Sequence, residues 1–140
     1  MKKNALNYLA WTFAASGLWD TVAGFLFIFA IGTGRSIDNP PTHPFYAIFL
    51  GSFFLCFAYL QFLSAFNIRR YLLNVGCLII GRVFYIVLLY AYMLCVNDFP
   101  STFWFTGIID SAFTILYLVF TLISDEVRLR DLFVPYRSDS

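Results

Sequence analysis

Residues 71–96 read YLLNVGCLIIGRVFYIVLLYAYMLCV, an apolar run with a single charged residue, Arg82. At about 1.5 Å per residue, a helix of this length exceeds the bilayer's hydrocarbon thickness of about 30 Å. In lipid only helices and closed barrels satisfy their backbone polar groups, and this run is much too long for a barrel strand. The stretch therefore predicts a transmembrane helix.

The whole chain has the composition of a protein that is solvated by lipid. Of its 140 residues, 61% are hydrophobic and 12% are charged, whereas a soluble domain has about a quarter charged residues. This composition argues against a soluble enzyme and excludes a disordered chain. The net charge of +1 provides no basic footprint, so no nucleic-acid partner is expected.

Three further apolar runs of similar length are separated by short polar breaks. The four predicted helices cover residues 6–31, 45–66, 71–96 and 103–123. Short connections join antiparallel neighbours, so the predicted fold class is all-α: an integral membrane antiparallel four-helix bundle, one domain over residues 1–140. In the tail, residues 124–140, the segment after Ser124 predicts a short interfacial helix with Ser124 as its N-cap.

The distribution of basic residues predicts the orientation of this bundle. One side of the membrane would carry seven basic residues and the other only Arg35. The seven are Lys2, Lys3, Arg69, Arg70, Arg128, Arg130 and Arg137. Because basic residues concentrate in cytoplasmic loops, both termini are expected to be cytoplasmic. The expected location is the cell inner (plasma) membrane, spanned several times.

Three formal charges lie inside the predicted helices: Asp20, Arg82 and Asp110. Each costs about 2.5–3.5 kcal/mol at the bilayer centre if lipid surrounds it, so all three are expected to face the bundle interior. Their heights above the cytoplasmic helix ends, about 21, 16 and 20 Å, agree within about one helical turn. The sequence therefore predicts one buried charged site near the midplane.

Two interpretations of this charged site are open. It is either an ionic staple that holds the helices together, or a functional site with a net charge of −1. A functional site with this net charge requires a proton on one carboxyl or a bound cation, as in proton relays and substrate sites. The expected lining of an accompanying cavity is Ser16, Trp19, Tyr59, Tyr85, Thr106, Thr114 and Tyr117.

Periodicity suggests which helix faces surround the site. Polar residues recur at steps of three and four along the fourth helix, and Ser52, Cys56 and Tyr59 are the matching polar face of the second helix. Gln61 lies on the opposite side of that helix from Ser52 and is expected to be interfacial. The cysteines, all in apolar runs, are expected to be buried.

Metal and cofactor chemistry have little support in the sequence. The chain has a single histidine, His43, and a paired axial-histidine site needs two. His43 lies between Thr42 and Pro44 in the outer loop and is expected to be a solvated residue. No metal site and no cofactor are predicted, and no catalytic residue is assigned.

The segment from Pro44 to Arg82 carries a loose family pattern. It contains Pro44, Gly51 and Tyr59, then the basic turn Asn67-Ile68-Arg69-Arg70, then Gly76 and Gly81-Arg82. This pattern resembles small bacterial four-helix membrane proteins of the DoxX-like group. The resemblance covers helices two to four and implies a four-helix membrane fold. Some members of that group are membrane partners of quinone-linked oxidoreductases. A redox role for this chain therefore rests on analogy with that group alone.

Three functions are compatible with these observations. The favoured one is an accessory or small-lipophilic-ligand-binding membrane protein, with a membrane protein partner or a second copy of the chain. The first alternative is a small transporter coupled to protons through one aspartate. The second alternative is a membrane enzyme that acts on a lipophilic substrate, with Asp110 as acid or base.

Overall fold

The computed structural model describes residues 4–31, 44–96, 103–125 and 127–134, and these residues are almost entirely helical. Helix α1 comprises Ala5–Phe25 and continues through a π-helical segment, Leu26–Ile31. Helices α2, α3 and α4 comprise Pro44–Phe66, Leu72–Cys95 and Phe103–Ile123. No strand occurs in the described ranges, so the all-α prediction is confirmed there. Predictions that concern Lys2, Lys3, Arg35, His43 and Arg137 fall outside the described residues.

All four helices are long and apolar enough to cross a membrane. Large apolar side chains such as Trp11, Phe66 and Leu94 are mostly exposed on their outer surfaces. An apolar surface of this extent is unfavourable in water and favourable in the acyl-chain region of a bilayer. The structure therefore indicates a multi-pass membrane protein.

Helix α1 packs most extensively on α2, because small residues let the two backbones approach. A Cβ atom added to Gly51 would lie 2.8 Å from the carbonyl oxygen of Gly24. The buried face of α2 consists of Ala47, Gly51, Ala58, Gln61 and Ser64.

The polar face predicted for the second helix is therefore wrong. Ser52, Cys56 and Tyr59 are all exposed. Ser52 does not need a partner helix, since its hydroxyl donates to the carbonyl oxygen of Ile48 at 2.9 Å. The prediction of buried cysteines is also wrong, because Cys56, Cys77 and Cys95 are exposed on the outer surface, where a thiol is apolar enough for lipid.

An apolar core fills the bundle near the α2–α3 connection. Phe13 of α1 stacks on Tyr117 of α4, with ring centroids 4.2 Å apart. Leu9, Val75 and Ile79 complete the centre of this core. On the same side, Asn74 Nδ2 links α3 to α2 by donating to the Leu60 carbonyl oxygen and to Ser64 Oγ, at 2.9 and 2.8 Å.

The segment after α4 is part of this core rather than a separate interfacial helix. Ser124 ends α4, since its N–H donates to the Phe120 carbonyl oxygen, and the only helix that follows in the described tail is the short 3₁₀ helix Leu129–Leu132. The predicted N-cap role of Ser124 is thus wrong. Val127 and Leu132 are buried in the core, and burying both side chains bends the segment back over Gly76 of α3.

The other half of the bundle is open between α2 and α3. Beyond Arg82 α3 buries only Leu89, and before Ala58 α2 buries only Ala47 and Gly51. We call residues 5–19, 58–80, 111–125 and 127–134 the closed half. Residues 20–31, 44–57, 81–95 and 103–110 are the open half. The boundary between the two halves coincides with the three charged residues.

Candidate functional site

Arg82 of α3 lies between the two aspartates. Its Nη2 atom is 2.9 Å from Asp20 Oδ2 of α1, and its Nη1 atom contacts Asp110 Oδ1 of α4. All three side chains are buried, with Arg82 only 8% exposed. The structure thus brings together the three charges that the sequence places at similar heights, and one guanidinium serves both carboxylates.

Polar groups from α1 and α2 extend this charged cluster. Arg82 Nη2 also donates to Ser16 Oγ at 2.5 Å, and Gln61 Nε2 donates to Asp20 Oδ2 at 2.5 Å. Ser16 and Gln61 are as buried as the charged residues. We call Ser16, Asp20, Gln61, Arg82 and Asp110 the polar floor; all four helices contribute to it.

The role of Gln61 corrects the expectation that it is an interfacial residue unrelated to the site. It lies on the side of α2 that carries Gly51 and Ala58, the side on which α1 packs. The signal that could have identified it is the glycine and alanine spacing on that face. Hydroxyl-bearing residues can bond the backbone of their own helix, as Ser52 does, so glycine and alanine are the better guide to the contact here.

The two aspartates differ in how many groups stabilise their negative charge. Asp20 Oδ2 accepts hydrogen bonds from both Arg82 and Gln61. Within the described residues, the only side-chain partner of the Asp110 carboxylate is Arg82. Thr114, although adjacent, donates to the backbone oxygen of Asp110 instead, at 2.8 Å. Asp110 is therefore the less satisfied carboxylate of the polar floor.

A cavity of about 390 Å³ lies above the polar floor, between α2 and α3. This volume falls within the range of small-molecule sites, about 300–1,000 Å³. Its walls are apolar and largely aromatic, and Phe53 in the wall is 49% exposed, so the cavity is open to its surroundings. The wall residues are Phe49, Leu50, Phe53, Phe54 and Phe57 of α2 and Leu78, Gly81 and Tyr85 of α3.

Only some of the residues that were expected to line the cavity do so. Tyr85 lines the cavity, with its hydroxyl 3.3 Å from Thr106 Oγ1, and Ser16 belongs to the polar floor. Trp19 packs instead against Phe105, and Tyr117 is buried in the apolar core.

Thr106, Thr114 and Tyr59 do not line the cavity either. Thr106 donates to the backbone oxygen of Phe103. Tyr59 is 63% exposed, because α2 directs the opposite face toward the bundle.

Two buried polar atoms of the polar floor have no hydrogen-bond partner among the described residues. They are the acceptor Gln61 Oε1 and the donor Arg82 Nε. A buried polar group without a partner costs about 1–3 kcal/mol. Both residues line the cavity, so a polar group of a ligand could pair with these two atoms. Two other buried atoms without a partner in the described part of the chain, Tyr117 Oη and Thr121 Oγ1, belong to residues of α4 that do not line the cavity.

The described residues contain no group of three His, Cys, Asp or Glu side chains that could hold a metal ion. Comparisons with family models, curated proteins and solved structures give no match.

Proposed function

We propose that this protein binds a small lipophilic ligand in the cavity between α2 and α3, with the polar floor holding the ligand's polar end. The observation that carries the proposal is an aromatic-walled cavity of about 390 Å³ directly above four buried polar side chains, Asp20, Gln61, Arg82 and Asp110. An ionic staple alone requires no cavity. Apolar walls with a few convergent polar groups are the usual form of a ligand site.

The direction of the opening supports a ligand that comes from the lipid. The cavity lies between two membrane-spanning helices, and its wall includes the half-exposed rings of Phe49 and Phe53. A ligand dissolved among acyl chains reaches such an opening without crossing the membrane surface. Helix α3 stays packed on α4 in the open half, where Leu89 contacts Gly107, so the opening is confined to the α2 side.

We further propose the antiparallel topology with both termini in the cytoplasm of an inner-membrane protein. Contacts between α1 and α4 support it, because Tyr8 stacks on Phe120 while the later residue Phe13 stacks on the earlier Tyr117. Arg69 and Arg70, at the α2–α3 connection, are then cytoplasmic. Green fluorescent protein fused after Ser140 should fluoresce in intact cells, whereas a periplasmic C-terminus would leave it dark.

We also propose a partner within the membrane, on the basis of the resemblance to DoxX-like proteins. Accessory proteins of that kind work beside another membrane protein or a second copy of the same chain. The broad apolar outer surface supports this, because it offers contact area within the membrane.

Proton-coupled transport is the second candidate, and one observation favours it: two carboxylates share one guanidinium. A transporter must also expose its site to both sides of the membrane. The closed half blocks one side, because Phe13, Tyr117 and Leu132 are fully buried there. Binding therefore has more support than transport.

The binding test uses the neutral fluorophore N-phenyl-naphthylamine with protein in an uncharged detergent. Wild type should show saturable binding above the linear partition into micelles. Gly81→Leu should lose this binding, because a Cβ added at Gly81 meets nothing within 4 Å and the larger side chain extends into the cavity. Val87→Leu on the outer surface of α3 is the matched control. Equal saturable binding in all three proteins would contradict the proposal.

A further inference from the structure

We infer that the ligands of the α2–α3 cavity are lipophilic monocations, and that Asp110 receives the positive charge. This inference rests on the proposed function and adds the chemical class of the ligand. It follows from the charges that line the cavity, from the way Arg82 is occupied, and from the aromatic wall.

The charge balance of the cavity is negative. Among the described residues, Asp20, Asp110 and Arg82 are the charged side chains of its lining, and with both carboxylates ionised their sum is −1. In a site surrounded by lipid an uncompensated charge is strongly unfavourable. A monocationic ligand brings the sum to zero, whereas an anionic ligand would bring it to −2.

Arg82 has one donor left for an anion, Nε, which has no hydrogen-bond partner among the described residues. Its Nη1 and Nη2 atoms are committed to Asp110, Asp20 and Ser16. At the Nη atoms an anionic ligand would have to displace a carboxylate that is already in place, and at Nε it would add a second uncompensated negative charge to the cavity. Asp110 is the carboxylate with fewer partners, because within the described residues its only side-chain partner is Arg82.

A second acceptor belongs to the polar floor. Gln61 Oε1 is buried, lines the cavity through its residue and has no hydrogen-bond partner among the described residues. An amide oxygen stabilises a positive group or accepts from its N–H. Two acceptors at the floor thus match a ligand with a positively charged end.

The wall of the cavity suits the same ligand. Phe49, Phe53, Phe54 and Phe57 of α2 all line it. The face of an aromatic ring attracts a cation, and the attraction grows when water is excluded. Aliphatic walls would serve a neutral ligand equally well, so an aromatic wall over a negative floor favours cations.

Other titratable groups near Asp110 do not alter this balance. Those that line the cavity with it are Asp20 from α1 and Arg82 and Tyr85 from α3, whereas Tyr117 of α4 is buried in the apolar core. Helix α2 contributes Gln61, which does not titrate.

The test compares two ions of the same shape and opposite charge, tetraphenylphosphonium and tetraphenylborate. Equilibrium dialysis in uncharged detergent measures saturable binding of each to the full chain, with N-phenyl-naphthylamine as the neutral reference. We expect wild type to bind the cation at least about tenfold more tightly than the anion. Asp110→Asn should reduce that ratio to near one, and Gly81→Leu should remove saturable binding of both ions.

The outcomes separate this inference from the proposed function. If the neutral probe binds and the two ions bind equally, or the anion binds more tightly, the inference is overturned and the proposed function stands. If none of the three probes shows saturable binding that is lost in Gly81→Leu, both the inference and the proposed function are overturned. If Asp110→Asn does not fold, two results still decide whether the inference holds. They are the ratio of cation to anion affinity in wild type and the loss of saturable binding in Gly81→Leu.

Discussion

The closed and open halves of this bundle are made from the same four helices, yet they differ in how the space between α2 and α3 is used. Gly76 and Gly81, a little more than one turn apart on α3, show the difference. A Cβ added at Gly76 would lie 2.9 Å from the carbonyl carbon of Leu132, whereas one added at Gly81 would meet nothing within 4 Å. The tail segment therefore fills the first site and leaves the second one open.

The difference in packing indicates that the two halves have different roles. The closed half is a packed core in which Phe13, Tyr117 and Leu132 are fully buried. The open half buries few side chains and contains most of the walls of the cavity. Because the polar floor lies where the halves meet, the closed half can hold Arg82 and its partners in position while the open half admits a ligand.

The largest effect is expected from Arg82→Gln at the boundary between the halves. It leaves Asp20 and Asp110 buried without their shared cation, which should cost about 3–5 kcal/mol of unfolding free energy. Asp110→Asn should cost much less, because the Arg82–Asp20 pair that remains is neutral. Denaturant titration in detergent measures both. Equal losses in the two variants would mean that the charges act only as an ionic staple.

Leu132→Ala tests whether the tail belongs to the closed half. Leu132 is fully buried against α3, so losing its side chain should lower the free energy of unfolding by about 2–5 kcal/mol. Phe133→Ala is the control, since Phe133 is exposed and its loss should change stability by less than about 0.5 kcal/mol. A similar small change in both variants would show that the tail does not stabilise the bundle.

The same alanine substitution at the two glycines should have opposite effects. Gly76→Ala pushes the tail away from α3 and should destabilise the protein by about 1–3 kcal/mol. Gly81→Ala adds a methyl group to open space and should leave stability unchanged or raise it by up to about 1 kcal/mol. Thermal unfolding of the two variants in one detergent provides the comparison. A loss at Gly81 as large as at Gly76 would mean that the open half is packed.

The smallest expected effect lies within the open half. Phe57 lines the cavity, whereas Tyr59, two residues further along α2, is exposed on the outer surface. Phe57→Ala should weaken saturable binding of N-phenyl-naphthylamine severalfold, and Tyr59→Ala should leave it unchanged. Fluorescence titration measures both, and a stronger effect at Tyr59 would place the ligand outside the cavity.

The sequence predicts the helices and the charged cluster well for simple physical reasons. The length of each apolar run determines that it can span a membrane, and the cost of charge in lipid requires Asp20, Arg82 and Asp110 to face inward. Similar heights then bring the three together, and Arg82 does contact both aspartates.

The sequence predicts the cavity and the tail poorly, because these depend on packing between helices. Hydroxyl groups such as that of Ser52 can bond their own helix, so they do not identify the buried face of α2. Gln61 enters the polar floor only because Gly51 and Ala58 determine which face meets α1. Likewise, the turn over Gly76 reflects burial of Leu132, which no local pattern around Ser124 shows.

Photoaffinity labelling with a neutral lipophilic diazirine, followed by mass spectrometry, would locate the ligand directly. Excess N-phenyl-naphthylamine distinguishes labels at the site from general labelling of the outer surface. Competed labels should lie on cavity residues such as Phe53, Phe57 and Tyr85, and should disappear in Gly81→Leu. Competed labels found only on outward residues such as Trp11 and Phe66, or none at all, would contradict a ligand site above the polar floor.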